Sequence, residues 1–393
     1  MKKLLLATAA GALMAGAAAA EEVKLGLHLG FTGPLESMAP DIAAGAEAAA
    51  REISESGQFL GGSTVVTSRS DTTCIDAAAS VAAAERQVAD GVRALVGGQC
   101  SGETIAVLER VAIPNGVMMI SPSATSPALS SIEDNGLFFR TAPSDARQGE
   151  VMAQLAQAQG IESAAVTYTN NDYGKGLADS FKAAFEALGG TVTTTAAHDD
   201  GKADYSAEVA ALAAAGGDVL VVAGYVDQGG SGVTRAALDT GAFSKFIFPD
   251  GMVSDVLTER FGNEIDGSIG VNPAAEGDGR AKFEELAAAA GFNPSSAYAA
   301  ESYDAAALIL LAMQAAGSSD PALAKEKVME VANAPGEPIL PGELAKGIEL
   351  LAAGQDIDYV GAGSVELVEP GESAGTFRET TIEDGKFVVV GFH

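Results

Sequence analysis

Basic residues are scarce in this chain. Of 393 residues, 23 are Lys or Arg against 53 Asp or Glu, which leaves a formal charge of −30. A surface of that sign repels phosphate backbones and anionic lipid, and so excludes nucleic-acid binding. The carboxylates are scattered rather than clustered and read as a solvated surface. Histidine is rarer still: there are three, His28, His198 and His393, and they stand far apart. With two cysteines in the whole chain, no zinc-type spacing exists. The G-x-S-x-G elbow is missing: Ser101 lies in G-Q-C-S-G, and no histidine stands near a plausible partner for it. There is no P-loop and no G-x-G-x-x-G after a strand. Hydrolase and nucleotide-dependent chemistry therefore lack their residues, and the reading calls for no enzyme activity, cofactor or metal.

Long hydrophobic runs are confined to the amino terminus. Lys2 and Lys3 precede an apolar run from Leu4 to Ala20, and Ala18-Ala19-Ala20 offers an A-x-A cleavage site before Glu21. The run is too short and too Ala-rich for a membrane span, which needs about 20 strongly apolar residues. No cysteine follows it to carry a lipid. Residues 1–20 thus read as a signal peptide cleaved after Ala20, with a periplasmic mature chain of charge −32 once Lys2 and Lys3 are gone. An uncleaved anchor or an Ala-rich helix is the bland alternative. In an oxidising compartment, the even pair Cys74 and Cys100 suggests a bridge; two free thiols are the other possibility. Cys74 follows an expected strand at 63–69 and Cys100 the next at 94–97, so their ends should lie near enough to pair.

The hydrophobic content of 47% can fill a large core, and the length suggests two domains. Strand and helix patterns alternate along the chain. Apolar strands are expected at 23–30, 63–69, 94–97 and 116–120, with Ile42, Ala46, Ala49 and Ile53 at helical spacing after the first. A second series follows at 164–169, 191–196, 218–223, 245–248 and 267–271, separated by helices at 175–188, 206–215 and 231–241. Two successive βα series predict an α/β fold of two doubly wound parallel-sheet lobes. Residues 280–353 read as mostly helical, and 364–390 as extended. Termini in different lobes require an odd number of crossings. The candidates are Thr141-Ala142-Pro143, Asn272-Pro273-Ala274 and Tyr359 to Gly363, a three-strand hinge. This gives lobe I as 21–142 and 274–358, and lobe II as 143–273 and 359–393.

The chemistry-bearing stretch runs from Ala94 to Pro127. Val96 leads to Cys100-Ser101, and Ile120 leads to Ser121-Pro122-Ser123-Ala124-Thr125. Two parallel strands with a helix between them set both loops at the carboxyl edge of a sheet, where open α/β folds bind ligands. Small residues there leave backbone N–H groups and hydroxyls free to clasp a carboxylate. The pattern resembles the periplasmic branched-chain amino-acid-binding proteins, the type I solute receptors of ABC importers. The resemblance continues in Gly30-Phe31-Thr32-Gly33-Pro34, in Asp145 ahead of Gln148-Gly149, in Asn171-Asp172-Tyr173-Gly174-Lys175-Gly176, in Gly224-Tyr225 and in Pro249-Asp250-Gly251.

That resemblance implies the Cys74–Cys100 bridge, the three crossings, a monomer that meets a membrane permease, and an amino acid as the small-molecule partner. Ser101 and Thr125 suit the ligand's α-carboxylate. The Ser123 carbonyl, the Thr125 hydroxyl and the Asp250 carboxylate suit its ammonium, with Ala124 beside them in the loop. Tyr173 and Tyr225 would close from the other lobe, and Asp145 would orient a loop or a water near the ammonium. Plainer roles exist too. Ser101, Thr125 and Asp145 also suit helix caps, and Tyr173 suits a turn. Leu35-Glu36-Ser37-Met38 departs from relatives that carry an aromatic residue there, and Asp250 is one methylene shorter than their glutamate. Both put the branched-chain preference in question. An amide, urea or aromatic-acid receptor of the same fold is the alternative, but it would lack a carboxylate at Asp250 or replace Thr125.

Overall fold

The computed structural model describes residues 21–393. The expected signal peptide and its cleavage point after Ala20 lie outside the described residues. Alternating strands and helices build two sheets. The first five strands are β1 (Glu22–Leu29), β2 (Thr64–Asp71), β3 (Ala94–Gly97), β4 (Met118–Ser121) and β5 (Phe138–Pro143). The next five are β6 (Ser163–Thr169), β7 (Thr191–His198), β8 (Val219–Ala223), β9 (Phe246–Phe248) and β10 (Ile269–Pro273). Then come a small pair, β11 (Glu337–Ile339) and β12 (Ile357–Tyr359), and the closing strands β13 (Leu367–Val368), β14 (Glu372–Ser373), β15 (Phe377–Glu383) and β16 (Lys386–Phe392). The first sheet runs β13-β14-β5-β4-β3-β1-β2 and the second β16-β15-β10-β9-β8-β6-β7. Their central ladders are parallel, with Leu25 of β1 facing Thr67 of β2 on one side and Ala94 of β3 on the other. Strands buried on both faces need continuous apolar runs, and Val219-Leu220-Val221-Val222-Ala223 is buried throughout.

Helices cover both sheets. In the first lobe these include α1 (Ala39–Glu55), α2 (Ala77–Ala89), α3 (Ser101–Val107) and the single turn α4 (Ile113–Asn115). The second lobe carries α5 (Asp145–Ala158), α6 (Asp172–Ala187), α7 (Ser206–Ala215), α8 (Gly229–Thr240) and α9 (Asp255–Phe261). The chain then returns to the first lobe with α10 (Asp278–Ala290) and α11 (Ala299–Ala316). Ile42, Ala46, Ala49 and Ile53 of α1 are all buried, and α1 packs along α11. A Cβ at Gly45 would stand 2.2 Å from the Ala299 carbonyl, so glycine permits that approach. Among the described residues no single helix is long and apolar enough to cross a membrane.

Two sequence expectations need correction. The chain was expected to leave lobe I at 358/359, but β13 and β14 pair into the first sheet through β5. The third crossing therefore falls at Ala374-Gly375-Thr376, immediately before β15 joins β10. Two-residue strands carry no periodicity, so nothing in the sequence placed them. Secondly, the strands preceding the two cysteines are not neighbours, because β1 lies between β2 and β3. The bridge forms nonetheless, with Cα atoms 5.3 Å apart. The loop after β2 folds over the end of β1, where a Cβ at Gly30 would meet the Cys74 sulfur at 2.8 Å.

Candidate functional site

The two loops flagged by sequence meet where β3 and β4 end, and their hydroxyls sew them together. Ser121 Oγ donates to the Gly98 carbonyl (2.7 Å) and accepts the Ala124 N–H (2.9 Å). Ser123 Oγ donates to the Gln99 carbonyl (2.9 Å), and Ser101 Oγ accepts the Ser126 N–H (3.1 Å). Ser101 is thus the first residue of α3 and ties its start to the second loop. Beneath that loop lies Arg140, a fully buried guanidinium from β5. Its Nη1 donates to the carbonyls of Ala124 (3.1 Å) and Ser126 (3.0 Å), its Nη2 donates to Ser130 Oγ (2.7 Å), and it pairs with Glu372 of β14. Residues 122–126 are therefore held at a fixed height over the sheet edge.

Lobe II supplies the opposite wall. Asp250 lies two residues past the end of β9, and its carboxylate accepts a hydrogen bond from Tyr173 Oη of α6 at 2.9 Å. The second oxygen accepts the hydroxyl of Tyr298, which comes from the first lobe at the head of α11. The rings of Tyr173 and Tyr225 stack at 5.1 Å and 10°, and Asn171 Nδ2 donates to Tyr225 Oη (3.2 Å). Asp145 opens α5 just past the first crossing, where Ser144 rather than Asp145 is the N-cap. The Asp145 N–H donates to the Thr125 carbonyl across the hinge (2.8 Å). Ser101, Ser123, Ala124, Thr125, Asp145, Tyr173, Tyr225 and Asp250 are each at most 7% exposed. Thr125, Asp145, Tyr173, Tyr225 and Asp250 meet at the seam between the lobes. Ser101 and Ser123 lie in the lobe I loops beside it, and Ala124 instead packs into the lobe I core. Tyr298 joins the seam although sequence reasoning did not single it out. Set between alanines ahead of a long apolar helix, it reads as part of that helix, whereas it sits at φ 68° just before it.

The electrostatics follow from burial. Loss of water pushes the Asp145 carboxyl well above its usual range, and repulsion from Asp250 adds to this. Burial raises Asp250 as well, but the Tyr298 and Tyr173 hydroxyls oppose the rise. The tyrosine hydroxyls of 173, 225 and 298 are all pushed up by burial, so they stay neutral donors. Below Ser101, Glu103 accepts the Cys100 N–H (3.0 Å) and Ser80 Oγ–H (2.7 Å), and burial raises it to about 7. On the disulfide side, the seam opens into a crevice of about 310 Å³ lined by Glu103, Asn171, Asp172 and Asp200 among others. Such an arrangement can clasp a carboxylate from lobe I and balance a cation from lobe II.

Two lobes, one seam and a hydroxyl-rich loop pair now have a counterpart among known proteins. Residues 22–338 match the family described as periplasmic binding protein. The chain belongs to that family. Over 327 residues it is 33% identical to the Leu/Ile/Val-binding protein homolog 1 of Brucella melitensis, covering 81% of this chain and 86% of the relative. Its structure is similar to the leucine-binding protein LivK of Thermotoga maritima, with a TM-score of 0.79 at 23% identity over 94% of this chain and 98% of that one. It is also similar to an R. palustris ABC-transporter solute-binding protein in complex with benzoate, with a TM-score of 0.75 at 18% identity over 94% and 96% of the two chains. At these identities the two structural likenesses concern the fold. For a periplasmic binding protein the seam between lobes is the place to look for a ligand, and it is here that the buried polar groups collect.

Proposed function

We propose that this protein is the extracytoplasmic receptor of an ABC importer. It binds an amino acid, branched-chain or similarly aliphatic, between its lobes and presents it to a membrane permease. The signal peptide, cut after Ala20, and a monomeric mature chain belong to the same reading. The observation that carries it is Asp250, a buried carboxylate between the lobes that is held by tyrosines from both of them. A carboxylate in a dry seam calls for a cation, and an amino acid brings one together with a carboxylate for Ser101 and Thr125. The Leu/Ile/Val-binding relative supports the same class. A plain aromatic acid, amide or urea brings no cation, and an acid would add a like charge. Asp145 and Asp250 weigh against them.

Thermal unfolding with each amino acid in turn is the first test, since a ligand at 100 times its dissociation constant adds about 2.7 kcal/mol. A clear shift with benzoate or an amide and none with any amino acid would overturn the ligand class. Removing one member of a buried charge pair costs about 2–5 kcal/mol. Asp250→Ala should therefore weaken amino-acid binding by roughly 30-fold or more in titration calorimetry, with the fold intact by circular dichroism. Unchanged affinity would move the ammonium site elsewhere.

A further inference from the structure

Asp145 and Asp250 are buried together and repel one another. Neither oxygen of Asp145 accepts a hydrogen bond of ordinary geometry among the described protein groups, nor does Gln148 Oε1, three residues along α5. The Thr125 hydroxyl, itself without a partner of ordinary geometry, is the neighbour that opposes the rise of the Asp145 carboxyl. The surrounding charges make this uneven. From lobe I, the cation whose field reaches Asp145 is Arg140, which is already engaged by Glu372, Ser130 and two loop carbonyls. Also from lobe I, Tyr298 donates to Asp250. From lobe II, Tyr173 donates to Asp250, and Asp200 adds a further negative influence on Tyr225. Apart from Arg140, every one of these ionisable neighbours is an acid or a neutral hydroxyl.

Two enclosed carboxylates cannot both be ionised unless a cation joins them. That cation is a proton or a group on the ligand. We propose that Asp145 holds a proton which the ligand's ammonium replaces, so that binding an amino acid releases a proton from the cleft. The inference rests on the amino-acid reading above and deepens it. The exchange balances in charge: the neutral acid gives up H⁺ to solvent and the ammonium pairs with the carboxylate left behind. Asp145 thereby becomes a determinant of specificity. A deaminated acid leaves the proton where it is and gains no ion pair, whereas a zwitterion gains one.

The sign of the pH effect follows. Protons compete with the ammonium, so affinity falls as pH falls below the Asp145 pKa of the unliganded receptor, by up to about ten-fold per pH unit. Above it, affinity is flat. The lifted pKa of Asp145 moves this window up from the ordinary carboxylate range.

Titration calorimetry tests it with L-leucine, L-valine and L-alanine as probes, in pairs of buffers of different ionisation enthalpy between about pH 5 and pH 8. The dependence of measured heat on buffer enthalpy should show close to one proton released per ligand at the acidic end. Asp145→Asn, which cannot ionise, should bind with no proton exchange and with an affinity that no longer varies with pH over that range. Amino-acid binding without proton exchange in the wild type would overturn this inference and leave the amino-acid reading standing. Equal proton release by wild type and Asp145→Asn would remove Asp145 from the role. No binding by any amino acid would overturn both readings.

Discussion

A buried guanidinium is tolerated only when its donors are used, and Arg140 uses them on the loop that carries Ser123, Ala124 and Thr125. Removing one side of such a pair costs about 3–5 kcal/mol, because the partners stay buried without it. Arg140→Met keeps the bulk and loses the fork. Urea unfolding should show a loss of that order, and ligand affinity should fall with it because two loop carbonyls are released. Arg140→Lys restores the charge without the planar geometry and should recover part of the stability. A loss below about 1 kcal/mol in Arg140→Met would mean the loop holds itself up. None of this was legible in F-F-R-T-A-P, where nothing in the local pattern marks the arginine as buried. Ser101, Thr125 and Asp250 were legible because each lies in the loop or helix start just after an apolar strand, and small or acidic residues in such places sit where ligands bind. Tyr298 was not, because its place depends on a helix packing across the lobe rather than on its neighbours in sequence.

At the scale of elements, the start of α3 gathers the disulfide, Ser101 and a buried acid. The Cys74–Cys100 bridge closes 26 residues, worth about 3–4 kcal/mol in the chain-entropy model. Glu103 beneath it is raised from 4.5 to about 7 by burial, and His28, which shares Ser80 with it, is lowered from 6.5 to about 4 by burial. The two act oppositely on stability. Glu103 is accommodated as the neutral acid, so its contribution is whole below its unfolded pKa and is lost as pH rises through about 7. His28 is accommodated as the neutral base, so its contribution is whole above 6.5 and is lost as pH falls through about 4. Glu103→Gln keeps an acceptor and removes the titration. Its stability relative to wild type should rise by about 3 kcal/mol between roughly pH 4.5 and pH 7.5, read from urea midpoints at several pH values. Parallel curves for the two proteins would show that Glu103 does not titrate there. The sequence announced α3 and both flanking strands through their apolar runs. It did not announce β13 and β14, whose pairing is set by where the crossing chain can reach β5.

The whole molecule depends on the two lobes meeting, and the seam has fastenings outside the ligand residues. Asp227 of lobe II accepts the Ser37 N–H (2.9 Å), and its own N–H donates to the Pro34 carbonyl (3.1 Å). At the opposite lip, Ser126 Oγ donates to the Asp172 carbonyl (3.0 Å). Three chain crossings allow rotation about a hinge; on the proposed receptor reading, these contacts would belong to the closed state and help to retain a ligand without touching it. A hydrogen bond to a charged group contributes about 1.5–3 kcal/mol, less here because Asp227 is only partly buried and its carboxyl is raised by burial. Asp227→Ala removes the side-chain fastening and leaves the backbone one. Its effect should fall on the closed state alone: ligand dissociation about five- to ten-fold faster in stopped-flow, with the association rate unchanged. Small-angle scattering should show wild type contracting on adding ligand and the variant contracting less at equal saturation. If dissociation is unaltered while scattering still reports closure, the ligand residues alone hold the lobes together and Asp227 merely faces the seam.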